Sequence, residues 1–231
     1  MLIAPQNLAL RVKELRLRMR AAAEAAGRDP GSVTLVAVSK SHNAEAIREA
    51  ATAGVTDFGE SYLNEALPKM QRLADLPLCW HFIGAIQSNK TRAIAERFAW
   101  AHGIDRPGIA RRLSEQRPFH APPLDVCIQV ALVPEPGKGG VTAGGLPELA
   151  AQVAGMPRLR LRGLMCIPPP QPGTEAQRAM FARLRGLLSE LNAAGHSLDT
   201  LSMGMSADFE AAIAEGATLV RVGTALFGER R

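Results

Sequence analysis

The segment T-L-V-A-V-S-K, Thr34 to Lys40, carries five residues suited to a buried strand, then a serine, then a lysine. Two common α/β folds open on a strand of this kind followed by a helix. A doubly wound nucleotide-binding sheet would place G-x-G-x-x-G directly after it. Here S-H-N-A-E-A follows Lys40, and the glycines are missing. Further apolar strand candidates lie at 55–58, 80–84, 98–102, 125–132, 160–167, 199–202 and 218–222, after the first at 34–39. Between them stand helical candidates near 43–53, 61–73, 89–96, 106–116, 145–155, 174–194 and 206–214. Eight strands alternating with helices indicate parallel βαβ units, and eight is the number that closes a barrel. The expectation is therefore an α/β chain, one TIM-type (β/α)8 barrel domain over residues 1–231. An extra helix should precede it from about Pro5 to Ala26, with Leu8, Val12, Leu15 and Met19 on one face and Gly27 as its stop.

Composition agrees with a globular chain. The apolar set makes up 47% of the 231 residues, and mean hydropathy is zero. Single α/β barrels routinely reach this length, so length alone forces no second domain. No apolar run approaches the roughly 18 residues of a membrane span, and the N-terminus lacks the basic region and long apolar core of a secretory signal. Cys79, Cys127 and Cys166 are odd in number, far apart and in apolar surroundings, which suits buried free thiols in a reducing compartment. A cytoplasmic location with no membrane partner is expected. The net charge is +5. Much of the excess sits in Arg11, Lys13, Arg16, Arg18 and Arg20, a set that reads as the solvated face of a helix. Without a helix-turn-helix, zinc-finger or RNP-type motif, no nucleic-acid partner is expected. A basic protein also suits a small anionic ligand.

In a barrel, chemistry gathers at the C-terminal ends of the strands, and Lys40 ends the first. An ammonium at an apolar barrel mouth loses hydration, which favours the neutral amine and makes a Schiff base with a carbonyl available. A lysine reaching solvent or pairing with Glu60 is the alternative. After the eighth strand, R-V-G-T-A (Arg221 to Ala225) combines small residues with a hydroxyl where barrels commonly bind phosphate. After the seventh, S-M-G-M-S ends at Ser206, expected as the N-cap of the next helix. Lysine plus phosphate site points to a phosphorylated carbonyl compound, with pyridoxal 5'-phosphate (PLP) as the cofactor of that description. Arg221 alternates with Val220 and Val222, so it faces the other side of its strand. There it either lies beside the pyridine nitrogen, leaving a weak electron sink, or pairs with an acid on a neighbouring strand. His81, between Trp80 and Phe82, is either an acid/base group or a buried structural histidine.

Several stretches resemble a known family. W-H-F-I-G-A-I-Q-S-N-K-T-R-A-I (Trp80 to Ile94), L-V-A-V-S-K, D-F-G-E-S-Y-L-N-E, R-L-R-G-L-M-C-I-P-P and the long run from Leu201 to Arg230 are similar to the PLP homeostasis proteins, the YggS/PROSC family. The resemblance runs in order from about residue 8 to the C-terminus. It implies the fold of the alanine racemase N-terminal domain without a second domain, and PLP as cofactor. It implies Lys40 as the Schiff-base lysine, Ser206, Gly223 and Thr224 as phosphate binders, Met203 and Gly204 as pocket lining, and Arg221 facing the pyridine nitrogen. It further implies a role in vitamin B6 homeostasis without established catalysis, PLP-dependent apoenzymes as partners, and a monomer or weak dimer. Two departures stand out. Gly59-Glu60-Ser61 replaces the usual G-E-N, putting Ser61 near the cofactor in place of asparagine. The fifth loop reads P-E-P-G-K-G-G, in which Lys138 and Gly140 take the place of S-K-x-G. The alternative function is a PLP enzyme acting on amino acids, a weak racemase or lyase.

Overall fold

A computed structural model describes residues 8–133 and 139–228. Residues 5–7 of the expected first helix and 134–138 of the fifth loop, Lys138 included, lie outside the described residues. Eight parallel strands close a barrel in chain order: β1 (Thr34–Val38), β2 (Asp57–Glu60), β3 (Cys79–Phe82), β4 (Trp100–Ile104), β5 (Leu124–Gln129), β6 (Leu159–Met165), β7 (Thr200–Ser202) and β8 (Leu219–Val222). Closure comes from β8 returning to β1, with Val36 opposite Arg221 and Ala37 opposite Val222.

Helices α1 (Leu8–Ala25), α2 (Ala44–Thr52), α3 (Leu63–Arg72), α4 (Thr91–Arg97), α5 (Pro107–Gln116), α6 (Leu146–Ala154), α7 (Gly173–Ala193), α8 (Phe209–Ala214) and α9 (Thr224–Phe227) accompany the strands. Local chemistry sets several of their ends. Asn43 caps α2 by accepting from Ala46 N at 3.0 Å. Pro107 opens α5, where its missing N–H would have been unpaired anyway. Among the described residues no helix is long and apolar enough to cross a membrane.

The extra helix α1 buries Leu8, Val12, Leu15, Met19 and Ala23, a stripe at three- and four-residue spacing, and packs on α8, α2 and α9. Fully burying a side chain such as Leu15 contributes roughly 1.5–3 kcal/mol. Three of its basic residues are engaged with the protein itself. Arg16 donates to Gly54 O at 2.6 Å, Arg18 pairs with Glu210 and lies over the Phe209 ring, and Arg20 pairs with Glu24 at 2.7 Å.

The barrel interior is unusually polar. His102 on β4 and Ser202 on β7 are three strands apart yet hydrogen-bonded at 2.8 Å, so both face inward. Phe58, Val220 and Val222, one residue out of phase with the inward set, fall on the side toward the helices and belong to the apolar core. Near the N-terminal ends of the strands Asp125 binds Arg160, and Arg162 pairs with Asp199 at 2.8 Å.

Candidate functional site

A polar network fixes the turn that carries Lys40. The chain leaves β1 through Ser39, which is fully buried, and turns at Ser41 with φ of 67°, a left-handed conformation rare for a residue with a side chain. Such strain persists only where surrounding contacts hold it. Here the Ser41 amide donates to Glu65 Oε2 at 2.7 Å. The Lys69 ammonium donates to the Ser39 carbonyl at 2.9 Å and to Glu60 Oε1 at 2.8 Å. Ser39 Oγ donates to the same Glu60 oxygen at 2.7 Å. Glu60 is wholly buried, and its Oε2 has no hydrogen-bond partner. Burial pushes the Glu60 carboxyl up; hydrogen bonds from Lys69 and Ser39 oppose this without cancelling it. The acid at the end of β2 is thus partnered by Lys69 of α3, and the turn is pinned from below.

Lys40 lies on the wall of two adjoining cavities. The smaller, about 270 Å³, is bounded by Lys40, Ser61, Ser206, Arg221, Gly223 and Thr224, with Met205 and Ala207 between the loops. It therefore brings together the ends of β1, β2, β7 and β8. The larger, about 590 Å³, shares Lys40, Ser61, Ile83 and Ile167 with it and extends past Tyr62, Asn64, Lys90 and Gln129. No Asp or Glu lines either cavity among the described residues.

The end of the smaller cavity beside β7 and β8 is built from two loops tied to each other. Ser206 is not the N-cap expected from the sequence: α8 begins only at Phe209, and Asp208 accepts from the Met205 amide at 2.6 Å. Ser206 Oγ instead accepts from the Ala225 amide at 3.3 Å, joining the loop after β7 to the start of α9. Gly223 permits the close approach there, since a Cβ would stand 3.3 Å from the Val38 carbonyl oxygen. His42 stacks on Phe227 with ring centroids 4.7 Å apart, tying the Lys40 loop to α9.

Arg221 forms the floor. It is 4% exposed, donating from Nη1 to Ser202 Oγ at 2.7 Å and from Nη2 to the Cys166 carbonyl at 2.9 Å. Neither partner is an acid, so the ion pair with a neighbouring strand that the sequence left open is not the arrangement found. Burial lowers its pKa from the usual arginine value. Met203 and Gly204 stand behind the cavity rather than on it: Met203 is fully buried, and the Gly204 carbonyl accepts from the Arg221 amide at 2.9 Å.

Chemically, an amine, a cationic floor and an amide- and hydroxyl-rich rim suit a small anionic carbonyl compound. Comparison with known proteins decides the family. The model of the alanine racemase N-terminal domain family matches residues 11–231. A Pseudomonas aeruginosa protein named pyridoxal phosphate homeostasis protein is 60% identical over 224 residues, spanning 97% of this chain and 96% of that one. The chain belongs to the pyridoxal phosphate homeostasis protein family.

An Escherichia coli member of the same name is 47% identical over 227 residues, covering 97% of each chain. PipY of Synechococcus elongatus, solved with PLP bound, superposes with a TM-score of 0.85 at 40% identity, over 96% of this chain and all of PipY.

Some functional side chains escaped the sequence. Lys69 and Glu65 lie on a helix, and their partners Ser39, Glu60 and Ser41 lie on β2 and the turn after β1, out of reach of local sequence pattern. His102 carried no signal beyond being polar within an apolar strand. His81 is 1% exposed and lines neither cavity, so it stands in the barrel interior and not at the chemistry.

Proposed function

We propose that this protein binds PLP reversibly, holds it as a Schiff base on Lys40, and serves vitamin B6 homeostasis in the cytoplasm without catalytic turnover. The observation that carries the reading is one cavity bounded at once by Lys40, Arg221 and the Ser206/Gly223/Thr224 rim, in a chain of this family.

The residues present fit the cofactor. A bound PLP supplies an aldehyde that forms imines reversibly with primary amines. Lys40 provides the amine, in a turn held by Lys69, Glu60 and Glu65. Ser206, Thr224 and the backbone at Gly223 would receive the phosphate, and Ser61, on the same cavity wall, would stand near the ring. Arg221 would face the pyridine nitrogen and leave it unprotonated, because a guanidinium can only donate and offers no proton-accepting partner. A ring without that proton withdraws electrons weakly, which fits a carrier better than a catalyst. Racemisation also needs a second acid/base group opposite Lys40. Tyr62, the chain's one tyrosine, is an exposed wall of the larger cavity. PLP-dependent apoenzymes are the partners this role requires.

One observation favours the alternative of an enzyme acting on amino acids: the 590 Å³ cavity shares Lys40 and leaves room beside the cofactor. Incubating the PLP-loaded protein with a broad amino-acid panel separates the two. No sustained product formation is expected. Turnover that disappears in Lys40→Ala would replace the carrier with the enzyme.

A further inference from the structure

Arg221 is a buried cation with no carboxylate within 4 Å among the described residues. Isolated buried charges are expensive, and proteins rarely leave them without a counter-charge. Asp208 acts on Arg221 through space without touching it, and a hydrogen-bonded route to a second carboxylate runs through the barrel. Arg221 Nη1 meets Ser202 Oγ at 2.7 Å, Ser202 Oγ meets His102 Nδ1 at 2.8 Å, His102 Nε2 meets His81 Nδ1 at 3.0 Å, and His81 Nε2 meets Asp57 Oδ1 at 3.0 Å. The chain of contacts crosses from β8 to β7, β4, β3 and β2.

Its ends fix its direction. The guanidinium can only donate, so Ser202 accepts from it and has its own hydroxyl proton to place. Asp57 can only accept when ionised. Burial raises its carboxyl, but hydrogen bonds from His81 and Thr56 outweigh this and hold it below its usual value. His102 is kept neutral, because complete burial pushes its pKa well down. A neutral imidazole has one donor and one acceptor. With both rings neutral, one assignment satisfies every atom: Arg221 donates to Ser202, Ser202 to His102 Nδ1, His102 Nε2–H to His81 Nδ1, and His81 Nε2–H to Asp57. The reverse assignment, with His102 donating to Ser202, leaves the Ser202 hydroxyl proton without an acceptor. Cys79 Sγ also lies 3.4 Å from His81 Nε2, and burial pushes that thiol up to about 12, so it stays a neutral neighbour.

We propose that Asp57, His81, His102 and Ser202 are positioning residues for Arg221: a one-directional hydrogen-bond chain that carries the counter-charge of Asp57 across the barrel and so sets the electrostatics of the cavity floor. The proposal rests on the PLP reading for its consequence, but the chain exists without the cofactor. Charges also facing it are Arg162, which lies over the Trp100 ring stacked on His81, and Asp208 near Arg221.

Nitrogen-15 NMR of the histidine rings in the cofactor-free protein tests the chain directly. Both His81 and His102 should carry their proton on Nε2; a proton on His102 Nδ1 would overturn the assignment. The coupling is tested by loading PLP and titrating the visible band of the bound cofactor in Asp57→Asn, which keeps an acceptor oxygen but loses the charge, and in Ser202→Ala, which breaks the link to Arg221. Loss of the remote negative charge leaves the floor more positive and disfavours a protonated imine. The titration midpoint should therefore fall by on the order of half a pH unit in Asp57→Asn. A purely structural role would lower thermal stability without moving the midpoint, and an unmoved midpoint in whichever of the two variants folds would refute the proposal. If the unaltered protein takes up no PLP, the cofactor reading fails while the ring-proton result still decides the chain.

Discussion

Replacing Lys69 with methionine removes the buried ammonium that holds Glu60 and the Ser39 carbonyl, at nearly constant side-chain length. Glu60 is then a wholly buried carboxylate with one oxygen already unpartnered and the other left with only the Ser39 hydroxyl. The variant can avoid the bare charge by folding with Glu60 protonated. At pH 7 that costs about 3.7 kcal/mol, being roughly 2.7 pH units above an ordinary glutamate at about 1.4 kcal/mol each. The lost Lys69 hydrogen bond to Ser39 adds about 1 kcal/mol. The expected loss is thus about 4–5 kcal/mol, in line with other broken buried pairs. The sign with pH follows from the direction of the shift. Burial raises the Glu60 pKa in the folded state, so protonation favours folding, and the penalty shrinks as pH falls toward the unfolded value. Near pH 5 the protonation part should drop to about 1 kcal/mol. Denaturant unfolding of both proteins at pH 7 and pH 5 measures the gap. A loss below about 1 kcal/mol at pH 7, or a gap that fails to narrow at pH 5, would refute this account of the turn under Lys40.

Other perturbations reach the remaining parts of the site. Gly204→Ala places a Cβ 2.6 Å from Ala212 Cβ at a backbone φ of 90°. It should destabilise the fold by on the order of 2–4 kcal/mol, read as a lower melting temperature. Ser206→Ala and Thr224→Ala should each weaken PLP retention in equilibrium dialysis while leaving imine formation intact; unchanged retention in both would remove the phosphate assignment. Ser61→Asn, restoring the family's more usual side chain, should tighten PLP binding by roughly 3- to 10-fold, the worth of one added hydrogen bond. Equal or weaker binding would mean that position 61 does not reach the cofactor.

The barrel was legible because strands buried on both faces read as apolar runs, and all eight lie where such runs occur, with ends shifted by up to three residues. The second run shows what the pattern misses. Expected at 55–58, the strand is Asp57–Glu60, because Val55 packs in the approaching turn while Glu60 is buried beside Lys69. A paired buried acid looks in sequence like the end of a strand. The fifth run overshot for the opposite reason: Val130 and Leu132 are buried but lie beyond the end of β5. Lys40 and the small-residue loops stood out because a cation closing an apolar strand, and two such loops after adjacent strands seven and eight, are local patterns. Ser206 was misread as a cap because hydroxyl-then-helix spacing cannot reveal a partner on the next loop, here the amide of Ala225. The interior chain from Asp57 to Arg221 was illegible for the same reason. Its members are spread over five strands, and only closure of the barrel brings His102 to Ser202.

Borohydride reduction of the PLP-treated protein, followed by peptide mapping, tests the central claim most directly. The account predicts a yellow protein whose reduced form carries one pyridoxyl group on the peptide containing Lys40, and no such label in Lys40→Ala. A label on another lysine, or a colourless protein that takes up no PLP, would contradict it.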